Sequence, residues 1–176
     1  MSETPRLGIS GDPRPHAYDP DRQPEYFEGV LARRIVAFLI DAIFVIGPML
    51  VLAFLIFVFG LVTLGICWLL FALLSPIFVI WAVVYTGATL GSPESATIGM
   101  RAMDLEMRTW YGAPMFFLLG AVHVIFFWVL TTALTPLILI VGLLNRRRRL
   151  LHDFLTGTLV INSEARAAAL HRTRGG

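Results

Sequence analysis

One carboxylate stands alone inside a long apolar stretch of the sequence. Asp41 follows Arg34 by seven residues in the segment RRIVAFLIDAIFV, and no further charged residue occurs before Glu94. A charged side chain in the middle of a bilayer costs about 2.5–3.5 kcal/mol on insertion scales, so such residues are functional candidates by default. The chemistry open to Asp41 is the binding of a proton or a cation. The structural alternative is a buried polar clamp that fixes the order of the helices.

Helical geometry relates Asp41 to Arg34. Seven residues rise about 10 Å and rotate by about 700°, which puts both side chains on nearly the same face, with Asp41 two turns deeper. The long side chain of Arg34 is expected to extend toward the membrane interface rather than to Asp41. The partner of Asp41 must therefore come from another element, and the candidates are Arg101, His123, Arg146 and Tyr85.

Three titratable residues later in the chain are further candidates for chemistry. His123 lies within an apolar stretch, where it is either a proton relay or a neutral, hydrogen-bonded side chain facing the bundle. The adjacent His152 and Asp153 suggest metal or phosphate chemistry. A metal site uses three or four ligands, however, and this pair supplies only two. We therefore predict no metal and no cofactor. We expect instead a network of ion pairs that joins Asp153 to Arg34, Arg101 or the arginines at 146–149.

The composition shows what must position these residues. The chain is 57% hydrophobic and only 15% charged, whereas soluble domains are about 45–50% apolar and 25% charged. Residues 42–93 carry no charge, and within residues 113–145 His123 is the one titratable group. A membrane-spanning helix needs about 20 apolar residues. We therefore predict an all-α membrane protein.

The two apolar stretches predict three to four transmembrane helices. The first span covers about 31–58 and the second about 63–87, so a cytoplasmic start returns the loop at 88–112 to the cytoplasm. Arginines flank 113–145 on both sides, which disfavours a single span under the positive-inside rule. At 1.5 Å per residue this segment supplies about 50 Å of helix, and two spans need about 60 Å. We expect a short or re-entrant hairpin that turns near 131–136, and a single crossing remains open.

Two short segments outside the spans have the character of β-strands. Apolar and polar residues alternate over 102–107, and TLVIN at 158–162 follows a glycine. Because a lone strand would leave its backbone groups unpaired, we predict that the two segments form a small cytoplasmic two-stranded β element. The transmembrane domain is then 29–163. We expect the proline-rich residues 1–28 to be a disordered cytoplasmic arm without an apolar signal region. We expect 164–176 to be a flexible C-terminal tail that is either a frayed helix or disordered.

Three segments together resemble the RDD family of small prokaryotic membrane proteins: ARRIVAFLIDAIFV, TIGMRAMDLEM and RRRRLLHDFLTGTLVI. Arg34 and Asp41 match the arginine and aspartate of the family's first helix. The later segments match at Thr97, Gly99, Arg101, His152, Asp153, Gly157 and Thr158. The resemblance covers about residues 29–163, although 113–145 carries no family signature.

The resemblance implies a multi-pass protein of the bacterial cytoplasmic (inner) membrane with a cytoplasmic N-terminus. Some members of the family are described as cation/proton antiporters, which implies an ion-coupled transporter that uses an intramembrane carboxylate. The alternative is a non-catalytic membrane adaptor or scaffold that binds a partner at its cytoplasmic face.

The expected partners follow from the same reading. They are the lipid bilayer, a small cation or proton, and a second copy of the chain or another membrane protein. Four consecutive arginines are expected to set the topology and to attract anionic lipid headgroups rather than nucleic acid, namely Arg146, Arg147, Arg148 and Arg149. The sequence shows no catalytic triad, P-loop or paired catalytic carboxylates on a common face, so we predict that the protein is not an enzyme.

Overall fold

The computed structural model describes residues 18–144 and 149–174, and over 133–144 it describes the backbone only. Arg146, Arg147, Arg148 and residues 1–17 of the predicted arm lie outside this part of the chain. The elements in chain order are α1 (Val30–Val62), α2 (Leu74–Leu90), α3 (Ile98–Ala102), β1 (Leu105–Thr109), α4 (Phe117–Leu144), α5 (Leu151–Thr156), β2 (Thr158–Asn162) and α6 (Glu164–Arg174). Two 3-10 helices, Pro24–Tyr26 and Ile66–Leu73, precede α1 and α2.

Within the described residues, two helical stretches are long and apolar enough to cross a membrane. They are Pro24–Val62, which contains an 18-residue window with a mean hydropathy of 2.9, and Ile66–Leu90, in which such a window has a mean hydropathy of 2.5. Their large apolar side chains point outward: Ile43 is 70% exposed and Leu69 is 78% exposed. Contiguous exposed apolar surface of this extent marks contact with lipid or with another protein. The predicted first two spans therefore correspond to helices of the required length and surface.

The backbone of the segment after β1 is helical from Phe117 to Leu144, where we expected a turn near 131–136. Helical backbone satisfies its N–H and C=O groups internally, as an apolar environment requires. Helices in membranes also tolerate proline, and Pro136 lies within α4. The segment begins beside the sheet, and the chain is back at the sheet by Arg149, which donates to the Thr158 carbonyl oxygen. The short or re-entrant hairpin therefore stays a prediction.

The predicted two-stranded sheet is confirmed. β1 and β2 are antiparallel, with Leu105 opposite Asn162 and Thr109 opposite Thr158. The first strand begins three residues later than the alternation suggests, because Met103 and Asp104 make the turn that leaves α3. Asp104 has a φ of +52°, a left-handed conformation that suits aspartate in turns better than most residues.

The sheet is covered by residues that precede α1. Phe27 is buried against Leu159 and Ile161 of β2, and Tyr18 and Tyr26 pack beside it. The buried Asn162 side chain donates to the carbonyl oxygens of Glu25 at 2.8 Å and of Glu28 at 3.0 Å. Residues 18–28, predicted as part of a disordered arm, are thus attached to the sheet because every residue of β2 needs cover.

The chain after β2 is also ordered in part. Residues predicted as the beginning of a flexible tail form α6, in which Ala167 is 2% exposed. Arg174 of α6 pairs with Glu28 at 2.9 Å. The sheet, α6 and residues 18–28 therefore make one polar layer at the end of the helices where α1 begins.

Glycines set the close approach of α4 to the end of α2. A Cβ added to Gly91 would lie 2.7 Å from the backbone N of Phe117, and one added to Gly120 would lie 3.1 Å from the Cβ of Leu90. The start of α4 can contact α2 at this distance only because both positions lack a side chain.

We expect Gly91→Ala to destabilise the protein by about 1–3 kcal/mol, because the added methyl group overpacks a backbone contact. Gly47→Ala in α1 is the matched control, since an added Cβ there meets nothing within 4 Å and alanine favours a helix over glycine by about 1 kcal/mol. Thermal unfolding in detergent, followed by the helical circular dichroism signal, measures both. Equal melting temperatures for the two variants would contradict the proposed close contact.

Candidate functional site

Two polar clusters lie along α1. We name the first the Asp41 cluster, which consists of Asp41, Tyr85, Thr97 and Gly99. We name the second the Arg34 cluster, which consists of Arg34, His123, His152 and Asp153. Each cluster contains one side chain of α1, and Arg34 and Asp41 lie on nearly the same face of that helix.

Three hydrogen-bond donors converge on the Asp41 carboxylate. The Tyr85 hydroxyl donates to Oδ1 at 2.6 Å, the Thr97 hydroxyl donates to Oδ2 at 2.6 Å, and the backbone N–H of Gly99 donates to Oδ1 at 2.8 Å. A carboxylate that meets only donors is in the arrangement that suits its ionised form, which is an acceptor only. The cluster joins α1, α2 and the start of α3.

Local structure explains the residue types of the loop motif. Thr97 is the N-cap of α3, and its hydroxyl accepts from the backbone N–H of Met100 at 3.2 Å while donating to Asp41. A Cβ added to Gly99 would lie 2.1 Å from the Ala37 carbonyl oxygen and 2.9 Å from Cγ of Asp41. Glycine is therefore needed for α3 to reach the backbone of α1 and to present its N–H to the carboxylate.

Of the four candidate partners of Asp41, Tyr85 makes the contact. Arg101 turns away, donating to the Ala96 carbonyl at 3.1 Å and to the Ser92 hydroxyl at 2.7 Å, with Glu94 at 3.2 Å. His123 belongs to the Arg34 cluster, and Arg146 lies outside the described residues. Among the described residues, hydroxyl and amide donors, rather than an arginine, therefore stabilise the Asp41 carboxylate.

The Arg34 cluster is built on a buried, bidentate ion pair. Arg34 donates from Nη1 to Oδ2 of Asp153 at 2.6 Å and from Nη2 to Oδ1 at 3.1 Å. The Asp153 side chain is fully buried, and 12% of the Arg34 side chain is exposed. Oδ2 also accepts from the backbone N–H of Leu150 at 2.9 Å. The predicted pairing of Asp153 with Arg34 is confirmed as a contact.

Burial and charge act in opposite directions on Asp153. Burial alone would raise the pKa of this carboxyl, but the adjacent Arg34 guanidinium and its hydrogen bonds outweigh burial and hold the pKa below its usual range. Burial lowers the pKa of His152 below its usual value, although Asp153 opposes this shift. At neutral pH the cluster therefore holds an ionised Asp153 beside a neutral His152.

Both histidines face the same carboxylate oxygen. Nε2 of His152 lies 3.4 Å from Oδ1 of Asp153, and Nε2 of His123 lies 3.8 Å from it. Nδ1 of His123 lies 3.2 Å from the Thr156 hydroxyl and 3.4 Å from that of Thr158. Nδ1 of His152 is buried and has no hydrogen-bond partner within residues 18–144 and 149–174. The tertiary fold thus gathers two imidazoles on one side of Asp153 and a guanidinium on the other.

Arg149 takes a different position from the lipid-facing one predicted for it. It is 4% exposed and donates to the Thr158 carbonyl at 2.9 Å and to the Asp153 carbonyl at 2.8 Å. Its guanidinium lies 4.2 Å from the ring centroids of both Trp110 and Phe154, which is cation–π distance. Arg149 therefore fixes the connection of α5 to β2, and Gly157, with a φ of +61°, supplies the left-handed turn between them.

Two structural residues escaped sequence reasoning. Asn162 joins β2 to the residues before α1, as described above, and is fully buried. Ser95, also fully buried, accepts from the backbone N–H of Met115 at 3.0 Å. Both are short polar residues near the ends of helices or strands, where such residues are common. Their hydrogen-bond partners are distant in the chain, so the local sequence does not reveal them.

Comparison with known proteins gives a single family. A family model described as the RDD family matches residues 29–157. That range contains all members of both clusters. No curated protein and no solved structure matches the chain.

We expect Asp153→Asn to destabilise the protein by about 3–5 kcal/mol, because it leaves the buried Arg34 charge without its counter-charge. Glu28→Gln removes one partner of an ion pair in which both side chains are 49% exposed, and exposed pairs contribute only about 0–1 kcal/mol. Thermal unfolding of both variants in the same detergent gives the comparison. A melting temperature of Asp153→Asn as high as that of Glu28→Gln would show that the buried pair does not hold α5 in place.

Proposed function

Because the chain belongs to the RDD family, whose model matches residues 29–157, we propose that it is a multi-pass protein of the bacterial cytoplasmic membrane that exchanges a small cation for protons. Family membership and the two long apolar helices fit a membrane protein. The observation that carries the proposed exchange is the Asp41 carboxylate, which has the hydroxyl oxygens of Tyr85 and Thr97 each 2.6 Å away.

The three oxygen-bearing groups can bind either a proton or a cation. A hydroxyl carries one donor and two lone pairs, so Tyr85 and Thr97 can rotate from donating to Asp41 to coordinating an ion. Carboxylate and hydroxyl oxygens are ligands of hard cations. A proton on Asp41 removes the negative charge that the cation requires. The two therefore compete for one carboxylate, and this competition couples uptake of one to release of the other.

The distribution of arginines supports a cytoplasmic location for the polar layer. The Arg34–Asp153 pair and the pairing of β1 with β2 bring the start of α1, the loop before α4 and the residues after 149 to the same end of the helices. Arginines are concentrated at this end, as the positive-inside rule requires of a cytoplasmic face; they include Arg33, Arg34, Arg101, Arg108 and Arg149.

A membrane adaptor is the second candidate function. The folded polar layer favours this function. Contacts such as Arg174–Glu28 and Asn162–Glu25 order the layer, and Asp41 takes no part in them. In that case Asp41 is a clamp that holds α3 against α1, and the layer binds a partner protein in the cytoplasm.

The topology predicts the location of three reporter fusions. Green fluorescent protein fused after residue 176 or before residue 1 should fluoresce, and alkaline phosphatase inserted in the connection near Gly65 should be active, because that connection lies on the outer side. An active phosphatase fused after residue 176 would contradict the cytoplasmic location of the polar layer.

We expect Asp41→Asn to abolish cation/proton exchange in proteoliposomes, because an amide neither binds a proton at neutral pH nor carries the charge that attracts a cation. Tyr85→Phe removes one oxygen, and the loss of about 1.5 kcal/mol should raise the half-maximal cation concentration about tenfold. Asp104→Asn is the control, since its side chain is 58% exposed in the turn before β1. Wild-type exchange rates in Asp41→Asn would exclude Asp41 from the mechanism, and absence of exchange in the wild-type protein with each alkali cation would favour the adaptor.

A further inference from the structure

His123, His152 and Asp153 are spaced as ligands of a metal ion. One ligand atom from each lies within 4.8 Å of the other two, and the two Nε2 atoms are 3.4 and 3.8 Å from Oδ1 of Asp153. Bonds of about 2.0–2.1 Å in a tetrahedral zinc site place neighbouring ligand atoms about 3.3–3.4 Å apart. A small inward movement of the His123 ring would therefore complete three coordination positions.

Direct hydrogen bonding does not account well for this arrangement. Hydrogen bonds from nitrogen to oxygen are about 2.7–3.2 Å long, and both imidazole–carboxylate distances exceed that range. The three residues are nevertheless 6%, 1% and 0% exposed, so water does not readily replace the missing contacts. An ion bound between the two Nε2 atoms and Oδ1 of Asp153, with the His123 ring moved inward, would give both imidazoles a partner at Nε2.

The neighbouring residues hold the ligands as second-shell groups do in metal sites. The Thr156 hydroxyl lies 3.2 Å from Nδ1 of His123 and orients the ring so that Nε2 faces Asp153. Oδ2 of Asp153 accepts from Arg34 and from the backbone of Leu150, which directs Oδ1 toward the histidines. Such hydrogen bonds to the far side of a ligand are the usual support of a bound metal, and here they hold two of the three ligands, His123 and Asp153.

We propose that His123, His152 and Asp153 bind a divalent transition metal such as Zn²⁺. Two imidazoles and one carboxylate suit zinc, cobalt or nickel, whereas magnesium and calcium require mostly oxygen ligands. The guanidinium of Arg34, 3.1 Å from Oδ1, repels the ion, so the metal binds reversibly rather than as a permanent structural zinc. The site is separate from the Asp41 cluster and does not rest on cation/proton exchange there.

Cobalt binding tests the site directly. The full-length protein is purified with an affinity tag that contains no histidine, stripped with a chelator and titrated with Co²⁺. We expect one Co²⁺ per chain with the intense visible absorption of a low-coordinate ion, and its loss on addition of Zn²⁺. His123→Gln and His152→Gln should each lose this absorption, and His171→Gln, at an exposed position of α6, should keep it. Unchanged binding in His152→Gln, or no binding by the wild-type protein, would overturn the proposal.

A measurement on the unaltered protein covers the case in which the histidine variants do not fold. X-ray absorption at the zinc edge of the wild-type protein loaded with one Zn²⁺ should show two imidazole ligands with oxygen in the remaining positions. A zinc ion with fewer than two imidazoles, or with sulfur from Cys67, would place the metal elsewhere and refute the assignment.

Discussion

The buried pair between Arg34 and Asp153 joins the beginning of the chain's first helix to its last folded segments. Removing both charges from water is expensive unless the geometry is good and the remaining lone pairs are satisfied. Here two guanidinium bonds and one backbone N–H meet these requirements. Asp153 also lies in the first turn of α5, where its Oδ2 accepts from the backbone N–H of Leu150, so the same carboxylate ties α5, and β2 directly after it, to the start of α1.

The first helix therefore supplies one charged side chain to each of two different polar clusters. Arg34 lies in one cluster with two imidazoles, and Asp41, deeper on nearly the same face, lies in the other with two hydroxyls and a backbone amide. The site proposed for a hard cation offers carboxylate and hydroxyl oxygens as ligands. The site proposed for a transition metal offers two imidazole nitrogens and one carboxylate oxygen. The chemical difference between the two clusters is the physical basis for assigning them different ions.

Sequence reasoning was most successful where a residue's environment follows from its immediate neighbours. The apolar runs predicted α1 and α2, and the need to pair backbone groups predicted that β1 and β2 form one sheet. For 113–145 the arginines favoured a hairpin but left a single crossing open, and the backbone there is helical from Phe117 to Leu144. The arginine cluster was also read as one unit, although Arg149 is buried between two aromatic rings.

The sequence by itself determined that this chain places a carboxylate within an apolar helix and that Arg34 and Asp41 share a face. These two features depend on hydropathy and helical periodicity. Thr97, Gly99, His152 and Asp153 were singled out as motif positions by the resemblance to the RDD family. Only the tertiary structure decided that Asp41 meets Tyr85, Thr97 and Gly99 while Arg34 meets Asp153. It alone brought His123 to His152, since a contact between residues far apart in the chain depends on how helices pack, which periodicity within one helix does not specify.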